Sequence, residues 1–323
     1  MSELHSRIDG MLAGALPRHV LDLVLDKVET RLQAEFTPNE LEHFWKALEH
    51  HGEDWGYQPS FPVARSIVAT LVDVAFAELP VLGLENIREA VVKASEGKRV
   101  VVVGNHLSYG DVNCLQALLY RNGVEGVPLL VMAGPKVYRD PFRRMSSMCF
   151  ETIKMAQPPS RASDGADVSM RELAEITRKV MADAEEWQRK GRILYFFPEG
   201  SRSRSGQVER FISASARYCS GEDVWVYPVG FVGTENLMGV QNDEMRMENG
   251  MVSIGKGLSH HELTQGLEGS PSRQRKVWMD LLGYGVASLL PKENRGIYEL
   301  ERSGEDAEME EARRRALTVF SNS

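Results

Sequence analysis

The chain has 323 residues, of which 42% are hydrophobic and 26% charged, and a net charge of −8. This composition fits a soluble globular protein with a sizeable core, built as one large domain or as one large and one small. The acidic balance (pI about 5.6) excludes a general nucleic-acid binder, so any anionic ligand has to be met by a local basic cluster. Cys114, Cys149 and Cys219 are odd in number, far apart and without a C-x-x-C pair. They read as buried free thiols in a reducing compartment. The first ten residues hold no apolar signal core. The most membrane-like stretch, residues 66–84, is broken by Asp73, Glu78 and Pro80, which favours a buried or surface-lying helix over a membrane span. The expected location is cytoplasmic, with peripheral contact at a membrane as an option.

Residues 1–80 read as a small helical bundle. Pro17 can open a helix striped with Val20, Leu21, Val24, Leu25, Val28 and Leu32. Thr37-Pro38-Asn39-Glu40 is a capping-box start for a second helix, ended near His50-His51-Gly52. Residues 56–62 are turn-rich, and residues 63–79 form a further helix.

From residue 81 to about 300, strands and helices alternate, which predicts an α/β domain with a mainly parallel sheet flanked by helices. Strands are expected at 98–103, 127–132, 192–197, 224–229 and 251–254. Helices are expected at 85–96, 111–122, 169–190, 211–219 and 272–290. A basic stretch (Lys136, Arg139, Arg143, Arg144, Lys154) follows the second strand, and residues 157–168 read as a mobile loop. Residues 301–323 hold a last, highly charged helix, opened by a Ser303-to-Asp306 capping box and read as a solvated surface element.

Two strand ends carry chemistry. After Val100-Val101-Val102-Val103-Gly104 come Asn105, His106 and, five positions beyond the histidine, Asp111. Five positions on an ideal helix point about 140° apart, but a turn tightening into a helix can bring His106 and Asp111 together. Asp111 would then fix the imidazole tautomer and leave the other ring nitrogen as a base. The competing reading is structural, since Ser108 and Asp111 also fit a capping box. After the strand at 192–197 comes Pro198-Glu199-Gly200-Ser201-Arg202-Ser203-Arg204-Ser205-Gly206. Its two guanidinium forks match phosphate oxygens, and its Gly and Ser residues let backbone N–H groups join them. A solvated basic loop is the competing reading there.

The two stretches together resemble the glycerolipid acyltransferase family, which is defined by an N-H-x-x-x-x-D block and a later F-P-E-G-[ST]-R-S block. In this chain the blocks stand as Asn105-His106 to Asp111 and as Phe197-Pro198-Glu199-Gly200-Ser201-Arg202-Ser203. The resemblance covers roughly residues 95–260, with Val229-Gly230 after Tyr227-Pro228 similar to the family's fourth block. A narrower resemblance is to soluble, plastid-type glycerol-3-phosphate acyltransferases, whose second block is similar to residues 133–141. Those enzymes carry a Lys-His pair after that block, whereas here Lys154 precedes Met155. Pro198-Glu199-Gly200 is closer to the membrane-type enzymes.

The resemblance implies acyl transfer from a thioester to a hydroxyl without a resident cofactor. His106 would be the general base and Asp111 its orienting partner. Arg202 and Arg204, with Lys136 or Lys154, would hold the acceptor phosphate; Asn105, Glu199, Gly200 and Ser201 would support the motif, Glu199 by hydrogen-bonding the acceptor or bracing the loop. The acceptor expected first is glycerol-3-phosphate, acylated at its sn-1 hydroxyl; the alternative is lysophosphatidate. The donor is acyl-carrier protein or acyl-CoA, and residues 139–144 read equally as a docking surface for it and as a solvated helix face. Other readings are a non-catalytic phospholipid-binding module, which needs no base, and a serine hydrolase, whose G-x-S-x-G elbow is absent from the sequence. No metal site is expected, because Ser259-His260-His261-Glu262 lacks H-E-x-x-H spacing.

Overall fold

Val100, Val101, Val102 and Val103 are fully buried and form the centre of β3 (Arg99–Gly104). β-branched side chains suit a strand covered on both faces. The computed structural model describes residues 3–13, 16, 18–76, 79–124, 126–156, 168–235 and 250–320. The other described strands are β1 (Gly56–Gln58), β2 (Val81–Leu82), β4 (Leu129–Ala133), β5 (Glu151–Lys154), β6 (Ile193–Phe196), β7 (Val224–Val232), β8 (Met251–Ile254) and β9 (Leu258–Ser259). They form one sheet in the order β1-β5-β4-β6-β3-β7-β8-β2, with β9 beside β7. β5, β4, β6, β3 and β7 run parallel, and β2 is parallel to β8. β1 pairs antiparallel with β5, and β8 and β9 pair antiparallel with β7. The expected α/β class and mainly parallel sheet are therefore observed. β1, β2, β5 and β9 are additions, each too short for an alternating pattern to register in sequence.

α1 (Glu3–Leu12), α2 (Arg18–Glu35), α3 (Pro38–His50) and α4 (Pro62–Ala75) fill residues 1–80. Thr37 and Glu40 form the expected reciprocal capping box at the start of α3. Pro17 lies outside the described residues, as do residues 157–167 of the expected loop. These helices share a core with the sheet: Ile8, Leu21, Phe44 and Ile67 join one apolar cluster with Val100, Val102 and Leu115. β1 is itself drawn from this segment, so packing runs continuously across residue 80.

Side chains alternate along β3, so Val101 and Val103 face the other way. They pack with α8 (Met170–Arg189) and with the helices Pro271–Ala287 and Ala307–Phe320. A correction applies to the last of these. Met309, Ala312 and Ala316 are fully buried, so the helix is a packed element rather than a solvated one. The stripe was hidden because two of its three members are alanine. Asp306, not Ser303, accepts from the Met309 N–H at its start (2.9 Å).

Two further helices place the site, α6 (Asp111–Arg121) after β3 and α7 (Pro141–Ser147) after β4; α5 (Leu84–Ser95) precedes β3. α6 packs on the first face through Cys114 and Leu115. The chain leaving β6 packs on the second through the 3₁₀ turn Ser213–Tyr218, which replaces the helix expected at 211–219. Neighbouring strands thus send their chains to opposite faces. That divergence opens a crevice at their carboxyl ends, where open α/β sheets hold ligands.

Candidate active site

The turn after β3 is built around the Asp111 carboxylate, which is completely buried. Asp111 Oδ2 accepts from the N–H groups of Leu107 (2.8 Å) and Ser108 (3.0 Å), and Oδ1 accepts from the Ser108 hydroxyl (3.1 Å). These bonds fold the backbone back onto the start of α6. His106 thereby comes within hydrogen-bond distance, its Nδ1 lying 3.0 Å from Asp111 Oδ2. The turn and the pair are one arrangement. Ser108 is not the helix cap: α6 is preceded by Gly110, and the Ser108 hydroxyl accepts from the Gly110 N–H (2.9 Å). Because a carboxylate only accepts, Nδ1 carries the proton and the other ring nitrogen remains as a base. The imidazole stacks on Phe197 with centroids 3.9 Å apart.

Asn105 and Gly104 fix the approach to this turn. Asn105 exchanges two hydrogen bonds with the Phe231 backbone, at 3.0 and 2.8 Å, tying the end of β3 to β7. A Cβ on Gly104 would meet the Tyr195 hydroxyl at 2.7 Å, so only glycine fits there.

Glu199 supplies the link to the second loop. Its carboxyl accepts from the N–H groups of His106 (2.7 Å) and Glu209 (3.0 Å). The Ser203 N–H in turn donates to the His106 carbonyl at 2.7 Å. Of the two roles expected for Glu199, the geometry gives the brace. Burial pushes its pKa up to about 8, against the pull of the two N–H groups. Gly200 takes a left-handed conformation (φ 72°) that turns the chain toward Ser201 and Arg202.

His106 opens onto a cavity of about 420 Å³ lined at one end by Lys136, Arg143, Gly200, Ser201, Arg202 and Arg204. The rest of the lining mixes apolar Val112, Val131, Met132 and Phe150 with polar Asn113, Ser146 and Ser147. The Arg202 guanidinium lies 4.0 Å from the Tyr109 ring centroid and that of Arg143 lies 4.9 Å from it. One aromatic ring thus carries two cations. Sequence reading missed this use of Tyr109 and of Arg143, although Tyr109 stands inside the first block.

Lys154 is not brought to the cavity. Its ammonium donates to the carbonyls of Gly52 (2.6 Å) and Glu53 (3.4 Å) and sits 4.3 Å from the Trp55 ring. Burial lowers its pKa. As the last residue of β5 it ties that strand to the loop before β1. Arg144 is likewise occupied, donating to the carbonyls of Tyr138, Leu48 and Glu49. Residues 139–144 therefore divide into a cavity-facing Arg143 and a structural Arg144. Cys114, Cys149 and Cys219 are all buried and free, as expected. Among the described residues, no cluster of three or more His, Cys, Asp or Glu side chains is arranged to hold a metal ion.

The family model described as Acyltransferase matches residues 78–232, which contain both blocks and the strands that carry them. The matched segment makes up just under half of the chain. The chain is also similar to the 1-acyl-sn-glycerol-3-phosphate acyltransferase LPAT1, chloroplastic, of Arabidopsis thaliana, with 25% identity over 169 residues. That match takes in 50% of this chain and only 38% of the relative's length. Among solved structures it is similar to the 1-acyl-sn-glycerophosphate acyltransferase PlsC of Thermotoga maritima (TM-score 0.45, 15% identity, 88% of this chain and 97% of that one). No described helix of the chain is long and apolar enough to cross a membrane.

Proposed function

We propose that this chain transfers an acyl group from a thioester to the free hydroxyl of a 1-acyl-glycerol-3-phosphate, forming phosphatidate. The observation that carries the reaction is the His106–Asp111 pair at a cavity lined by basic and by apolar side chains. His106 takes the proton from the acceptor hydroxyl as that oxygen attacks the thioester carbonyl, and returns it as the thiolate leaves. Asp111 stabilises the imidazolium formed in between. A thioester is reactive enough that no acyl-enzyme is required. Arg202, Arg204, Arg143 and Lys136 hold the acceptor's phosphate and so position its hydroxyl.

The choice of acceptor departs from the one that the sequence favoured. Glycerol-3-phosphate was expected from the plastid-type resemblance of residues 133–141, with Lys154 as the one remaining half of that type's Lys-His pair. That lysine is spent on backbone carbonyls, and the similar Arabidopsis protein is named for the monoacylated acceptor. The apolar residues in the lining, Val112, Val131, Met132 and Phe150, suit an acceptor or donor that brings an acyl chain. Such an acceptor resides in a bilayer, so the reading includes peripheral contact with a membrane surface. The donor is an acyl thioester of coenzyme A or of acyl-carrier protein.

The test offers lysophosphatidate and glycerol-3-phosphate in parallel to the purified protein, with each acyl thioester. Phosphatidate from the lysolipid, lost in His106→Ala, is the expected result. Lysophosphatidate formed from glycerol-3-phosphate instead would return the chain to the first acylation step. Product from neither acceptor sinks both readings.

A further inference from the structure

At the amino-terminal ends of β3 and β6 lies a second cavity, of about 460 Å³, lined by Arg99, Arg178, Arg217, Tyr218, Met181 and Leu194 among others. It is remote from the acyl-transfer cavity. Arg99 opens β3, while His106 follows its other end; five steps of about 3.3 Å separate Arg99 from Gly104, about 17 Å along the strand.

The charge of this second cavity is unusual for the chain. α8 pairs its other basic side chains with acids one turn away: Arg171 with Glu175, Lys179 with Asp183, and Arg189 with Glu185. Arg178 is the exception on that helix among the described residues, and it lines the cavity. Neither Arg99 nor Arg217 forms an ion pair among the described residues; Glu185, the acid in the lining, is taken by Arg189. Arg99 is held in place by the half-buried start of the strand, its Nη1 3.5 Å from the Ser220 carbonyl. Its Nε–H is buried and meets no acceptor among the described residues. A buried donor left unmade costs free energy. In a protein of net charge −8, three arginines lining one cavity whose acid, Glu185, is paired with Arg189 form a local positive well. Apolar Met181, Ala182, Ala184 and Leu194 line the rest beside the Tyr218 ring, together with Gln188.

We infer that this cavity is a second anion site, which takes a soluble phosphate monoester carrying a compact ring or apolar body, with the phosphate on the three arginines. Guanidinium forks suit phosphate oxygens in bidentate geometry, and the volume falls within the range of small-ligand sites. The site stands independently of the acyl-transfer reading.

The experiment is calorimetric titration of the full chain with adenosine monophosphate and, separately, with inorganic phosphate. Three proteins are compared: wild type, Arg178→Glu/Arg217→Glu, and Arg202→Ala/Arg204→Ala. The first pair of changes lies at exposed positions, so folding and basal acyl transfer are expected to be retained. The nucleotide should bind more tightly than phosphate alone, and the charge reversal should weaken it about tenfold or more. The Arg202/Arg204 variant should bind it as wild type does. Unchanged affinity in the reversal variant overturns the site. So does loss in the Arg202/Arg204 variant, which would assign the anion to the acyl-transfer cavity. Equal affinity for nucleotide and phosphate removes the apolar wall from the argument and overturns the ligand class. No binding of either probe at millimolar concentration overturns the proposal outright.

Discussion

Two aspartates are buried to the same degree in this molecule and are used differently. Asp111 has no exposed surface and Asp280 has 1%. Each has its oxygens filled. Asp280 accepts from both ends of the Arg210 guanidinium (3.3 and 2.8 Å) and from the Tyr298 hydroxyl (2.9 Å). Tyr298 in turn accepts from the Phe211 N–H. Burial raises the Asp280 carboxyl's pKa, even though Arg210 and Tyr298 pull it the other way. Asp111 spends most of its capacity on local N–H groups and one bond on His106, whose second nitrogen is left unused. The Asp280 network closes on itself. The Asp111 network ends in a base that faces a cavity. Burial and satisfaction alone do not mark a catalytic carboxylate; what marks it is a partner with a further valence directed at space.

The comparison predicts opposite outcomes for opposite deletions. His106→Ala should lower turnover by roughly 10²–10⁴-fold, the usual range for a positioned base, with little change in the unfolding midpoint. Single-turnover acyl transfer and urea unfolding read the two quantities. Near-normal turnover would remove His106 from the chemistry. Asp280→Ala should do the reverse, costing about 3 kcal/mol of stability. It removes the acceptor of the Tyr298 hydroxyl proton and leaves Arg210, itself partly solvated, with Asp306 alone. Its folded fraction should transfer acyl groups at the wild-type rate.

The sequence exposed the first of these regions and concealed the second. Both blocks are contiguous, and each follows a strong strand signal, so His106, Asp111 and the Arg202 loop could be read directly. The turn that joins His106 to Asp111 was anticipated as a possibility, but the competing capping reading could be set aside only when Ser108 was seen accepting from Gly110. The Asp280 network unites residues 210, 280, 298 and 306, and no periodicity connects such positions. The same holds for Arg143 and Lys154. Both belonged to one basic stretch, yet one lines the cavity and the other reaches back to carbonyls about a hundred residues away in the chain. Sheet order, not local pattern, separates them. The edge strands β1 and β2 were missed for a related reason, since two or three residues form a strand only because a neighbour is already there to pair with.

Glu199 offers a third and smaller test, through pH. Its folded pKa is raised to about 8 from an ordinary value near 4.5, chiefly by burial. Folding therefore favours its neutral form. The associated stability is fully present below about pH 4.5 and is lost as pH rises through 8, because the folded state binds the extra proton in that window. Urea unfolding at pH 6 and pH 9 should show the wild type weakening with rising pH. Glu199→Gln should flatten that dependence, while placing an amide N–H₂ where an acceptor is needed by His106 or Glu209. Its stability at pH 6 should consequently be lower by about 1–3 kcal/mol. An unchanged pH slope in the variant would mean that another group titrates in this window.

The smallest expected effect concerns Tyr109, which meets the His106 ring edge-on, with centroids 6.5 Å apart, and also reaches the site through two arginines. Its ring carries Arg202 on one contact and Arg143 on another. A cation–π contact is worth about 0.5–1 kcal/mol at sites of this exposure. Tyr109→Leu keeps the bulk of the side chain but removes the face that holds the two cations. The KM for the phosphorylated acceptor should rise by about three- to tenfold, while the KM for the acyl donor and the turnover number change little. Arg202→Ala should raise the same KM further, and adding Tyr109→Leu to it should then cost less than it does in wild type, because the two residues act as one contact. Full additivity of the two changes would separate the ring from the phosphate clamp and leave Tyr109 as packing alone.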